Sequence, residues 1–287
     1  MALRLGARTF GPDRLAVMAI VNRTPDSFFD RGATFADGAA MAAVDRAVED
    51  GADIVDIGGV KAGYGDEVGP AEEIRRTVPF IAQVRERHPG LVISIDTWRA
   101  EVASEAVEAG ADLLNDTWAG ADSGLVTVAA RTGAGLVCSH TGGLPPRTDP
   151  HRMAYPDVVA DVIATVTGLA ERAAEAGVRR DGLLVDPTHD FGKNTWHSLE
   201  LTRRLGELEA TGWPVLVALS RKDFVGETLG LPAADRLEGT LAATAVSAWL
   251  GATVFRAHDV RATRRVLDMV ASIRGDRPPA VARRALA

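Results

Sequence analysis

Asn22, Asp56, Asp96, Asn115, Asp116, Asp186, Lys222, Arg256 and His258 have one thing in common. Each stands at, or just after, the C-terminal end of a short run rich in Val, Ile and Leu. In "ISIDT" (93–97) and "LLNDT" (113–117), Asp96 and Asn115 lie inside the apolar run itself. A carboxylate or amide in such surroundings is costly unless it holds a partner or a ligand. Helix capping accounts for Asp116 and Asp259 about as well, because Asp caps helices readily, but it does not account for the ensemble.

The residue types divide by chemistry. Asp96, Asn115 and Asp186 offer two carboxylates and an amide. Such a set can read the edge of a flat heterocycle bearing several N–H groups, and Lys222 adds a cationic donor. Arg256 and His258 are two apart on one run, so their side chains share a face and suit an anion such as phosphate. Asn22 offers an oxygen to a magnesium ion that also holds phosphate oxygens.

Elements of one kind must position these residues. The runs are 15–22, 52–59, 91–97, 112–117, 135–141, 183–187, 214–220 and 253–259. Between them lie stretches such as "PAEEIRRTVPFIAQVRER", whose apolar residues recur three to four apart, the helical period. The runs are mostly apolar rather than alternating, as expected of parallel strands covered on both faces. Eight strands alternating with helices predict a single (β/α)8 TIM barrel over residues 1–287, with active-site residues at the strand C-termini. An open doubly wound sheet is the competing architecture. It would usually carry a GxGxxG turn after its first strand, and the chain has none. The tail after Arg274 is expected to fray.

Composition narrows the classes. At 287 residues and 46% hydrophobic, the chain can bury a sizeable core. A net charge of −7 argues against a general nucleic-acid binder. No apolar run reaches membrane-span length, and the N-terminus has no secretory-signal core, so a cytoplasmic protein is expected. Cys138, the single cysteine, reads as core packing, which excludes a disulfide framework. The lack of an HxH near the first run argues against a barrel metallohydrolase.

An ordered set of motifs carries a family resemblance: "MAIVNRTPDSFFDRGA" (18–33), "GADIVDIGG" (51–59), "ISIDTWRAEVA" (93–103), "GADLLNDTWAG" (110–120), "DFGKN" after "LLVDP", "LSRKDFVG" (219–226) and "RLEGTLAATAVSAWLGATVFRAHDV" (236–260). The chain resembles dihydropteroate synthase over nearly its whole length. That family joins 6-hydroxymethyl-7,8-dihydropterin diphosphate to 4-aminobenzoate on a (β/α)8 barrel, releases pyrophosphate, and is inhibited by sulfonamides. The resemblance implies that Asp96, Asn115, Asp186 and Lys222 hold the pterin, with Asp96, Asp186 and Lys222 taking part in catalysis. Arg256 and His258 would hold the diphosphate, and Asn22 would ligate Mg2+. Phe191 would lie by the aminobenzoate ring. Thr24, Asp26 and Phe28 would belong to a first loop that orders during the reaction. The late helices would form a homodimer.

The chain departs from that pattern at the second substrate. The family's second loop reads approximately GGESTRPG, against "GGVKAGYG" (58–65) here. Lys61, Ala62 and Gly63 therefore stand for Ser, Thr and Arg, and neither Ala62 nor Gly63 can close the site over diphosphate and amine. The Ser after the pocket lysine is Asp223, which would repel an aminobenzoate carboxylate. Gly-Ile-Gly before Phe191 is Thr188-His189-Asp190, Met-His-Met is Ser139-His140-Thr141, and Arg23 replaces a small apolar residue. This clustering predicts a second paralogue in which aminobenzoate condensation is weak or lost. The alternatives are a pterin- or sulfonamide-binding protein without catalysis, and a synthase using another amine. Lys61, His189 and Asp190 would then form a new surface at the second substrate.

Overall fold

The first element of the chain is one that the run pattern did not suggest. In the computed structural model, which describes residues 2–25, 34–63, 65–148 and 154–284, the N-terminus forms an antiparallel hairpin of β1 (Leu3–Leu5) and β2 (Arg8–Phe10). Its three-residue strands were too short to register as apolar runs. Leu3, Leu5 and Phe10 pack against the first inward residues of the barrel strands, among them Ala16, Ile54, Val92 and Leu113. The hairpin thus plugs the end of the barrel opposite the charged residues.

The predicted runs form eight parallel strands: β3 (Ala16–Asn22), β4 (Ile54–Gly58), β5 (Val92–Asp96), β6 (Leu113–Asp116), β7 (Gly135–Ser139), β8 (Leu183–Asp186), β9 (Leu216–Ala218) and β10 (Val254–Ala257). Strands β3 to β8 pair in succession, and β10 lies between β3 and β9. A parallel bridge between Val185 and Val215 joins β8 to the start of β9, so the sheet closes into a (β/α)8 TIM barrel.

Two apolar clusters follow from the two-residue period of the strands. Outward residues such as Val17, Ile57, Ile93 and Leu114 pack under the helical ring, and inward ones such as Met18, Leu184 and Val254 fill the lower barrel. Burial of each such side chain contributes about 1.5–3 kcal/mol. The ring comprises α1 (Asp37–Glu49), α2 (Pro70–Arg87), α3 (Ala100–Glu108), α4 (Gly124–Thr132), α5 (Val158–Glu175), α6 (Thr195–Arg203), α7 (Leu205–Glu209), α8 (Asp223–Leu229), α9 (Leu237–Trp249) and α10 (Val260–Arg274). Helix α2 starts with Pro70, carries Glu72 and Glu73 in its first turn and has Arg85 and Arg87 in its last, in keeping with the helix dipole. Beyond α10, Arg277 pairs with Asp268 at 2.7 Å, which holds the start of the tail on that helix.

Candidate functional site

Along each barrel strand the inward residues turn from apolar to polar. On β4, Ile54 gives way to Asp56; on β5, Val92 to Ser94 and Asp96; on β6, Leu113 to Asn115; on β8, Leu184 to Asp186; on β10, Val254 to Arg256. Register aligns Asp96 with Gly58 and Asn115, and Asp186 with Ser139. The polar set therefore meets at one end of the barrel axis.

Asp56 is the hub of that end. It is fully buried and accepts from Ser94 Oγ at 2.5 Å, Asn115 Nδ2 at 3.1 Å and Arg256 Nε at 2.6 Å. Arg256 also donates from Nη2 to Asp96 Oδ2 at 2.9 Å, and Thr117 Oγ1 donates to Asp96 Oδ1 at 3.1 Å. Two carboxylates share one guanidinium. Burial pushes the Asp96 carboxyl up to about 7; Arg256 opposes the shift and Asp56 adds to it. Asp186 accepts from Thr188 N–H at 2.7 Å and is also raised by burial, with Lys222 the largest opposing influence. Lys222, lowered by burial, donates to the His189 carbonyl at 2.5 Å and lies 5.0 Å from the Phe191 ring centroid. His258 is lowered to about 4 by burial and then by Arg256, so it is a neutral imidazole, hydrogen-bonded to Ser220 Oγ at 2.9 Å.

A cavity of about 300 Å³ opens above this set. Its walls include Asn22, Thr24, Lys61, Ala62, Gly63, Asp96, Phe191, Lys222, Asp223, Arg256 and His258, all singled out from the sequence. Asn115 and Asp186 are not on the wall: Asn115 is turned to Asp56, and Asp186 lies near Lys222 and Arg256. Asp26 and Phe28 lie outside the described residues.

The outer part of the cavity stands on loops. Thr188 and Asp190 have φ of 51° and 71°, the left-handed region that suits glycine. The loop thus keeps a glycine-like path with side chains added. Each side chain is engaged. Thr188 Oγ1 donates to the Asp186 carbonyl at 3.0 Å and accepts from His140 N–H at 3.1 Å. Asp190 and Ser198 bond reciprocally, through Asp190 N–H to Ser198 Oγ at 3.1 Å and Ser198 Oγ to Asp190 Oδ1 at 3.0 Å. Asp190 Oδ2 accepts the first two N–H groups of α8, from Asp223 at 2.7 Å and Phe224 at 3.3 Å. Asp223 itself points to Arg236, 2.8 Å away.

His189 corrects one expectation. It is fully buried, hydrogen-bonded to Thr202 Oγ1 at 3.1 Å and stacked on Phe224, so its side chain forms no part of a new surface. Two further side chains act differently from their sequence reading. Asp259 pairs with Arg221 rather than capping α10, and Asp116 caps a turn through the Trp118 and Gly120 N–H groups. Ser139, in place of Met, donates to the Asp116 carbonyl at 2.5 Å. Arg23 is buried over the Phe80 ring, pairs with Asp37 and donates to the Thr34 carbonyl at 3.1 Å. The second loop is pinned at its flanks, by Arg76 to the Gly59 carbonyl and Arg99 to the Val68 carbonyl, while Lys61, Ala62 and Gly63 face the cavity. Sequence reasoning noted Asp56 but gave it no role. Its signal was the one that identified Asp96, a carboxylate inside an apolar run.

Residues 18–258 match the family model described as "Pterin binding enzyme". The chain is 61% identical to "Inactive dihydropteroate synthase 2" of Mycobacterium leprae, with the whole of both chains covered. It is 36% identical to "Dihydropteroate synthase" of Haemophilus influenzae over 88% of this chain and 91% of that one. Among solved structures, Yersinia pestis dihydropteroate synthase in a sulfonamide drug complex superposes with a TM-score of 0.89 at 34% identity, covering 96% of this chain and 100% of that one.

Proposed function

The chain belongs to the pterin binding enzyme family, and from that premise we propose that it is a dihydropteroate synthase-like pterin binder whose condensation with 4-aminobenzoate is weak or lost. One observation carries this reading. The deep polar set on strands β4, β5, β6, β8 and β10 is complete, whereas the α8 N–H groups beside Phe191 are already taken by Asp190. The similarity to a protein named as inactive points the same way.

Each end of the cavity has its own chemistry. At the deep end, Asp96 on the wall would meet the donor edge of a pterin once Arg256 gives up part of its hold on it, and Asp186 and Asn115, now behind the wall, would join it only by turning from their present partners. Arg256 would then be free to meet a diphosphate bidentately, and neutral His258 could donate one hydrogen bond to it. Magnesium fits only as a companion of the diphosphate. Among the described residues no group of three or more His, Cys, Asp or Glu gathers to hold a metal, and Asn22 supplies a single amide oxygen. That suits an ion whose other ligands are phosphate oxygens and water. At the outer end, Ala62 and Gly63 cannot supply a hydroxyl or guanidinium over the leaving group, which needs positive charge as the carbon–oxygen bond breaks.

We assign to the same reading a sulfonamide-sized occupant of the outer cavity and a homodimer through α9 and α10, which expose Val246, Trp249, Met269 and Ile273. No helix among the described residues is long and apolar enough to cross a membrane. Calorimetry with 6-hydroxymethylpterin pyrophosphate, followed by steady-state turnover with 4-aminobenzoate, tests the proposal. Pterin binding with turnover at least about tenfold below an ordinary synthase is expected. Ordinary turnover would refute it, and absence of pterin binding would refute the family function of the deep pocket.

A further inference from the structure

Asp190 occupies the first two N–H groups of α8. It defines what the outer cavity will accept. Its carboxylate is held by Ser198 Oγ and by the N–H groups of Asp223 and Phe224, so it cannot swing away without breaking three hydrogen bonds. Its backbone, at φ 71°, is held by a fourth bond to Ser198. An incoming carboxylate therefore meets a fixed negative charge where it would need donors, with Asp223 on the same wall. Arg236 partly neutralises Asp223, and Lys222 lies near Asp190, so the wall presents acceptors more than a strong net charge. Lys61 faces the cavity from the second loop, but it is a flexible ammonium on a half-exposed segment and cannot replace two directed N–H groups.

The rest of the outer cavity still suits an aromatic ring. Trp118 and Phe191 meet edge to face with centroids 5.4 Å apart, and Leu144 lies on the same wall. Ala62 and Gly63, with little or no side chain, also line the cavity.

We infer that the outer cavity selects an aromatic amine whose far end is an uncharged hydrogen-bond donor, such as a carboxamide, and rejects the corresponding carboxylate. The inference rests on the pterin reading of the deep pocket only for the role of that amine as a second ligand. The ring site and Asp190 stand independently of it. Chemically, a carboxamide N–H can donate to the one acceptor position left on Asp190 Oδ1, whereas a carboxylate has no proton to give it and meets only another acceptor.

The test is a calorimetric comparison of 4-aminobenzamide with 4-aminobenzoate on the full-length protein, with and without 6-hydroxymethylpterin and pyrophosphate. The native protein should bind the amide at least tenfold more tightly than the acid. Asp190→Gly, compatible with the positive φ, frees the two N–H groups and should move the ratio at least tenfold toward the acid. Asp190→Asn keeps a φ-tolerant side chain but removes the charge, and it should move the ratio the same way by less. Thermal melts establish that both variants are folded. Equal or tighter binding of the acid by the native protein, binding of neither ligand, or a ratio unmoved in both folded variants would overturn the inference. Failure of the pterin to bind, with the amide still preferred, would instead strike the reading of the deep pocket.

Discussion

The two ends of the cavity are built by different means. The deep end stands on strands, and its register follows from hydrogen-bonded neighbours: Asp56 beside Ser94, Asp96 beside Asn115. The outer end stands on loops, and its side chains are held by local bonds at unusual backbone angles, as Thr188 and Asp190 illustrate. A strand position cannot change partner without moving its whole ladder. A loop position can be rewired residue by residue. Divergence concentrated at the outer end while the deep set stayed intact is what that asymmetry allows.

The sharpest way to break this comparison is to remove the hub of the deep end. Asp56→Ala would leave Asn115 Nδ2, Ser94 Oγ and Arg256 Nε without their acceptor, with Arg256 held by Asp96 alone, and loss of one partner of a buried ion pair costs about 3–5 kcal/mol. Urea unfolding should report a loss of that size together with loss of pterin binding. A change below about 1 kcal/mol would mean that the deep end is no more rigidly built than the rim.

The rim should respond in function rather than stability. The combination Ala62→Thr, Gly63→Arg and Asp223→Ser should recover little aminobenzoate turnover while Asp190 still caps α8. Adding Asp190→Gly should then raise it about ten- to a hundredfold, the worth of a restored charge-assisted hydrogen bond of about 1.5–3 kcal/mol. Full recovery from the first three changes alone would show that the second loop, and not Asp190, controls the rim.

A smaller effect follows from Asp96. Folding lets its carboxyl keep a proton up to about pH 7, whereas in the unfolded chain it ionises near pH 4. Its contribution to stability is therefore full below about pH 4 and falls as pH rises through about 7. Pterin binding runs the other way, because the ionised form accepts an N–H. Affinity should rise about tenfold between pH 6 and pH 8 by calorimetry, and Asp96→Asn should flatten that rise. A flat native profile would place the titration elsewhere.

The smallest expected change is Thr188→Gly. It relieves a β-branched residue at φ 51°, worth about 1–3 kcal/mol, and forfeits two hydrogen bonds of about 0.5–1.5 kcal/mol each. Thermal denaturation should find the variant within about 1 kcal/mol of the native protein. A large loss would show that the side chain holds the loop and that the backbone path depends on it.

Much of this was legible in the residues themselves. Eight apolar runs alternating with helical periods required a sheet covered on both faces, because burial of Val, Ile and Leu is the dominant favourable contribution to folding. Polar residues inside the ends of those runs required a partner or ligand, which marked Asp96 and Asn115 as candidates before any geometry was known, and the structure gives them partners in Arg256, Thr117 and Asp56. The motifs located the departures in the second loop and at Thr188-His189-Asp190 and Asp223, which the structure places on or beside the outer cavity. The hairpin of β1 and β2 was not legible, since strands of three residues have no period to read.

What the tertiary structure alone decided was which charges met. Asp56 and Arg256 are 200 residues apart, and only closure of the barrel sets them 2.6 Å from each other. Asp190 and Asp223 are 33 apart, and nothing in the sequence linked them; the fold seats one on the backbone N–H of the other and turns that other to Arg236. Residue types and periods determine what must be buried, because hydrophobic burial is non-directional and roughly additive over the chain. Partner choice among buried charges is directional and falls off within a few ångströms, so it is set only when distant segments are brought to a common point.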